Sequence, residues 1–232
     1  MLFSAACAQS DVTTFLGIPV DGTKPEMIQK LRAKGYKLDS SGEYLTGEFN
    51  GRDVQIYVVT NNNKVYRIMV ADAKETDETN IRIRFNNLCS QFAHNGRYLP
   101  ALLDVSYYIQ NDEDISYNMT VKNKRYEACY YQVPSKMSVV DSLAIAEKAL
   151  AMRAKLLEKY TEEQLADTLN RTEKMSNDIS RIKAEMMLEA VQYYRLRYSK
   201  NSVWFMISEF RGEYYISMYY DNEHNMADGS EL

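Results

Sequence analysis

The dipeptide Asn50-Gly51 stands between two runs of alternating side chains, and it narrows the local fold more than any other feature of the chain. A two-residue hairpin turn needs positive φ at both central positions, which asparagine and glycine tolerate. Strands are therefore expected at about Tyr44 to Phe49 and Asp53 to Thr60. A third runs from Lys64 to Ala71 after the turn Asn61-Asn62-Asn63. Side chains alternate across a strand, so Val54, Ile56 and Val58 share one face and Gln55, Tyr57 and Val59 the other.

The same period returns later. Ile115, Tyr117, Met119 and Val121 alternate with Ser116, Asn118, Thr120 and Lys122, which predicts a half-exposed strand. Asn123-Lys124 turns it into a partner running from Arg125 to Val133. A last hairpin is expected from Val203 to Phe210 and Tyr214 to Tyr220, joined by Arg211-Gly212-Glu213. From Asp221 the chain reads as polar and frayed.

Helical signals fill the gaps. Thr23-Lys24-Pro25-Glu26 is a capping box with proline in the first turn; Met27 and Leu31 form its stripe and Gly35 its stop. Between Asp77 and Asn95, the residues Ile81, Phe85, Leu88 and Phe92 recur on one helical face. Ala144 to Tyr160 is rich in good helix formers. Thr161-Glu162-Glu163-Gln164 is a second capping box, and the long helix after it carries Met175, Ile179, Ile182, Met186 and Tyr193 on one face.

The expected fold is α+β, with antiparallel meander sheets packed against amphipathic helices. One domain spans 10–222, with a helical segment at 136–200 inside it and a polar tail at 223–232. Glu48-Phe49-Asn50-Gly51 resembles Glu209-Phe210-Arg211-Gly212, and each hairpin has a helix upstream. A duplicated helix-plus-hairpin unit accounts for this; chance convergence on a turn is the competing account.

Composition excludes several functions. A net charge of -4 with no basic stripe speaks against nucleic-acid binding. No stretch approaches the roughly 18 apolar residues of a membrane span. Of the two histidines, His94 sits at a helix C-terminus, where a cation is favoured. His224 lies in a polar run that fails as a calcium loop, with Met226 where a glycine is needed and Leu232 where a glutamate is needed. Two histidines and two durable cysteines do not readily build a closed zinc site. Cys89 and His94 share no helical face, and no glycine loop cradles phosphate. Asp112-Glu113-Asp114 reads as an acidic hairpin loop, and Glu162-Glu163 as charge favourable at a helix start. Asp141-Ser142-Leu143 and Asp167-Thr168-Leu169 resemble an O-glycosylation acceptor, but both fall within expected helix, and the plain helical reading is preferred. No catalytic residue, cofactor or metal is expected.

Residues 1–9 look like the end of a secretory signal, with Ala6-Cys7-Ala8 fitting cleavage before Gln9. Ser4-Ala5-Ala6-Cys7 is also a weak lipobox, which would make Cys7 a lipid anchor. A short disordered terminus is the bland alternative. Export, to the periplasm or the outer membrane, is the preferred reading. Cys89 and Cys129 would then remain; export invites a disulfide between them, but both fit buried free thiols, the preferred reading.

Several strings carry a resemblance: Phe15 to Lys24, Leu45 to Gly51, Val203 to Ser208 and Tyr219 to Glu223. Together they resemble exported proteins of unknown function from Bacteroidales-type bacteria. The layout of a capped helix followed by a meander is similar to β-lactamase-inhibitor-protein-like and small outer-membrane-assembly lipoprotein domains. That resemblance implies a binding module and transfers no active site.

Nineteen tyrosines against seven phenylalanines is the compositional oddity. Tyrosine pairs such as 130–131, 214–215 and 219–220 place a ring on each side of a strand. One side packs on helices. The other would carry Tyr131, Tyr215 and Tyr219 with Tyr57 or Trp204 as an accessible aromatic row, and parity alone does not fix which side faces out. Such rows are enriched at protein interfaces; if helices covered both faces, the rings would instead be core. The expected function is binding of a partner protein, with a glycan as the lesser alternative. A cell-envelope hydrolase is the rival from another class.

Overall fold

The computed structural model describes residues 12–102, 105–135, 138–227 and 229; residues 1–9, expected to be a leader, and Cys7 among them lie outside these. The chain forms two compact units. One takes the chain to Val133 and again from Tyr198, and the other is Pro134–Arg197.

In the first unit a small hairpin of β1 (Thr14–Phe15) and β2 (Ile18–Pro19) precedes α1 (Lys24–Ala33). The capping box is formed: the Thr23 side chain accepts from the Glu26 N–H, and Glu26 reaches back to the Thr23 N–H. Then follow β3 (Lys37–Leu38), β4 (Leu45–Phe49), β5 (Arg52–Asn61), β6 (Lys64–Asp72), α2 (Glu78–Ala93) and β7 (Tyr98–Pro100). After α3 (Ile115–Thr120) and β8 (Glu127–Gln132), the chain leaves this unit and returns for β9 (Ser202–Phe210) and β10 (Glu213–Asp221). Asn50 and Gly51 both hold positive φ, as do Asn62 with Asn63 and Arg211 with Gly212. The hairpins therefore close where turn chemistry allows it.

All eight strands from β3 to β10 form one antiparallel sheet, in the order β3-β4-β5-β6-β10-β9-β8-β7. This order is palindromic. α1 leads into the short β3 and the meander β4-β5-β6; α2 leads into the short β7 and, past α3, the meander β8-β9-β10. The halves meet at β6 and β10, with Met69 opposite Tyr219. The element order is that of a duplicated unit. The matching strings, however, do not correspond: Asn50-Gly51 joins β4 to β5, whereas Arg211-Gly212 joins β9 to β10. Their likeness is convergence on one turn chemistry. The junction equivalent to Asn50-Gly51 lies between β8 and β9, and there the second unit is inserted.

One face of the sheet carries the core. Val54, Ile56, Ile68, Val203, Phe205, Ile207, Ile216 and Met218 are buried with Met27 and Leu31 of α1 and Ile81, Phe85, Leu88 and Phe92 of α2. The Phe85 and Phe205 rings meet edge-on at 5.1 Å. A bulge at Val59/Thr60 shifts the register of β6, so that Val65 and Ile68 both reach the core. Arg84 of α2 grips both oxygens of Asp72 at 2.6 and 2.5 Å, tying the helix to the sheet.

Two expectations about this unit are corrected. Ile115–Thr120 is a helix with Val121 as its C-cap, not a strand. Asp114 accepts from the Tyr117 N–H at 2.7 Å, an N-cap that starts a helical turn, and burial falls on Ile115 and Asn118. That is a three-residue period, which the apolar alternation concealed. The acidic loop 112–114 is thus the helix start. Nor is the chain frayed from Asp221: Asn222 is buried, donating to the Val20 carbonyl at 2.8 Å, and Asn225 donates to Asp21 and to the Val65 carbonyl.

The second unit comprises α4 (Val139–Leu157), α5 (Glu162–Ala166) and α6 (Glu173–Arg197). Ser138 caps α4, and Thr161 with Gln164 forms the expected capping box on α5. Leu156, Met175, Ile179 and Ile182 make its small core. Asp141 is fully buried and paired with Arg197 at 2.6 Å. Asp167-Thr168-Leu169, expected within a helix, forms the turn after α5, where Asp167 accepts from the Leu169 and Asn170 N–H groups. Among the described residues, no helix is long and apolar enough to cross a membrane.

Candidate functional site

The strand registers define the sheet face turned away from α1 and α2. Across β8, β9, β10, β6 and β5, one row of direct partners runs Cys129, Trp204, Tyr219, Met69, Tyr57. The Tyr44 ring extends it, 5.5 Å from Tyr57. All five residues of this row are half-buried, whereas their chain neighbours Ala128, Val203, Phe205, Ile56 and Val58 are buried. Tyr131 and Tyr215 share the same side, opposite Ser202 and Ser208. The structure therefore places Tyr57, Tyr131, Trp204, Tyr215 and Tyr219 on one face, and none of the five is buried.

The rings are not one cluster. Trp204 and Tyr219 stack at 4.0 Å with an interplanar angle of 16°. Met69 separates Tyr219 from Tyr57 in the row. The Tyr57 hydroxyl donates to Gln55 at 2.9 Å. Burial first, and then the neighbouring Tyr44, pushes its pKa above the ordinary phenol value.

A charged strip borders the stack. Arg67 donates to both Asp221 oxygens at 2.6 and 2.7 Å, and the Trp204 indole N–H donates to the same carboxylate at 2.9 Å. The Arg67 guanidinium lies 4.9 Å from the Tyr219 ring centroid and 5.5 Å from that of Trp204. Hydrogen bonding to Asp221 raises its pKa further. An arginine so held adds cation–π attraction to the rings and fixes their pose. Arg67, Met69 and Asp221 escaped the sequence reading, because nothing local announces that β6 pairs with a strand some 150 residues later.

The remaining chemistry-bearing groups are occupied structurally. His94 is the C-cap of α2, with its Nδ1 2.8 Å from the Ser90 carbonyl. Cys89 faces the core beside Tyr130, and Cys129 lies on the opposite face, so the two thiols are free and separated by the sheet. Burial pushes Cys89 up to about 12 and Cys129 up to about 11. Thiols so shifted are poor nucleophiles at neutral pH. Glu48, Asp53 and Asp72 border a hollow of ≈ 270 Å³, but Arg84 holds both oxygens of Asp72 and Lys74 faces Asp53 at 3.4 Å. Among the described residues, no three His, Cys, Asp or Glu side chains are grouped to hold a metal ion.

Comparison with protein-family models, curated proteins and solved structures finds no match.

Proposed function

We propose that this chain is an exported, non-enzymatic protein that holds a partner protein against the sheet face bearing Tyr57, Tyr131, Trp204, Tyr215 and Tyr219. One observation carries the reading: the five rings share the face opposite α1 and α2, and the core on the other side is complete without them. Tyrosine and tryptophan on rigid strands give large contact area at little cost in side-chain entropy, which suits recognition. Asp221, committed to Arg67 and Trp204, is a poor general base, and this favours a binder over a hydrolase. Export rests on residues 1–9, and mass spectrometry of the native N-terminus tests it; an intact Met1 defeats it.

The face is tested by capture from a cell-envelope extract with the immobilised chain. Tyr215→Ala/Tyr219→Ala and Tyr57→Ala should each lower recovery of the captured protein at least about tenfold. Tyr108→Ala, an exposed ring in the loop before α3, should not. Equal recovery with all variants refutes the face. Capture that free oligosaccharide abolishes transfers the role to glycan binding.

A further inference from the structure

Helix α4 carries two seams: its own unit packs on one, while on the other exposed Arg153 pairs with exposed Glu162 at 3.0 Å. On the inner seam Asp141 pairs with Arg197, Lys148 with Glu189 at 3.4 Å, and Leu156 joins the core beside Met152. On the outer seam Val139, Leu143, Ala146, Leu150, Arg153 and Leu157 follow one another at steps of four, three, four, three and four residues. That is the repeat of a knobs-into-holes contact. Val139 is 75% exposed, Leu143 65% and Leu150 69%. An open groove of ≈ 780 Å³ runs beside the seam, lined by Ala146, Leu150, Arg153, Leu165 and Ile179.

We propose that the outer seam of α4 packs antiparallel against the same seam of a second copy of this chain. The order of the residues is complementary to its own reverse. A two-fold contact sets Val139 against Leu157 and Leu143 against the aliphatic stem of Arg153. At its centre Ala146 meets Leu150, small against large. Arg153 of each copy, opposite Leu143, then lies four residues, about 6 Å along the axis, from Glu147 of the other, and exchanges its exposed pair with Glu162 for two symmetric ion pairs. Opposed helix dipoles favour the same direction. Nineteen residues span roughly 28 Å. Such a length covers on the order of 500 Å² per copy, at the lower edge of the roughly 1,000 Å² total that a specific interface needs. The dimer should therefore form at micromolar concentrations.

Sedimentation of the full chain from about 1 to 200 µM tests this. The wild type should shift from monomer to dimer, and Leu143→Glu/Leu150→Glu should weaken association at least about tenfold, with helix content by circular dichroism unchanged. Glu147→Arg and Arg153→Glu should each weaken it, and the double variant E147R/R153E should restore it. That restoration decides the matter even where the leucine variant unfolds. A wild type monomeric throughout, or a double variant no better than its singles, overturns the proposal. So does monomeric wild type bound to phosphatidylglycerol vesicles, an outcome that assigns the seam to a lipid surface.

Discussion

Trp204 lies flat on Tyr219, 4.0 Å between ring centroids, while its N–H donates to Asp221. The pose of the aromatic face is thus tied to one partly buried ion pair. The Asp221 side chain is 4% exposed, and that of Arg67 is 23%. Removing one partner leaves a charge poorly solvated. Asp221→Leu should cost about 3 kcal/mol in urea unfolding, and Arg67→Met/Asp221→Leu should recover most of it. The single tryptophan reports the change directly, and its emission should shift in Asp221→Leu.

Arg211 opens the β9–β10 turn at φ 55°, a left-handed conformation that costs an ordinary residue about 1–2 kcal/mol and asparagine less. Arg211→Asn should raise stability by about 0.5–1 kcal/mol. A thermal melt with an unchanged or lower midpoint would contradict the turn assignment.

Cys89 is held up to about 12 and Tyr126 likewise up to about 12, in both cases chiefly by burial. Above pH 9 the unfolded chain gives up the thiol proton while the folded one keeps it. Stability from this source is therefore full below about pH 9 and is lost as pH rises towards 12. The urea midpoint should fall between pH 9 and 10.5, and less steeply in Cys89→Ala. Native-state alkylation of both thiols should be slow at pH 8, and oxidation should not join them, because the sheet lies between.

The Gln132 N–H donates to the Asn201 carbonyl at 2.8 Å, and the Asn201 N–H closes a turn onto the Tyr198 carbonyl. Val133 and Tyr198 are therefore close enough for a three-residue linker, which spans about 10 Å. Replacing Pro134–Arg197 with Gly-Asn-Gly should leave a cooperatively unfolding sheet with native tryptophan emission. Loss of that transition would show that the sheet needs the helical unit.

The parts of this fold legible in the sequence are those whose physics is local. Asn50-Gly51, Asn62-Asn63 and Arg211-Gly212 announce their hairpins because positive φ is a property of single residues, and Thr23 and Thr161 announce helices because a cap spans three residues. At Ile115 to Val121 two local signals conflicted, and the Asp114 cap prevailed over a two-residue apolar period. Which strands lie side by side is not local. The pairing of β6 with β10 brings Arg67 to Asp221; parity puts paired rings on opposite sides, but neither the side that faces out nor the charged strip that orients it is written in local sequence. The short β7 and the β1–β2 hairpin were also missed, being too brief to show a period.

Since β10 sits in the middle of the sheet, β6 emerges from the ribosome about 140 residues before the strand that will cover it. At typical synthesis speeds that is roughly 7–30 s, during which one border of the growing sheet stays open to any passing strand. Arg67 on β6 places a charge along that border. A charge on an open edge discourages a wrong strand from pairing there, and Asp221 neutralises Arg67 only when β10 arrives, whereas Asp72 already has Arg84, 12 residues on.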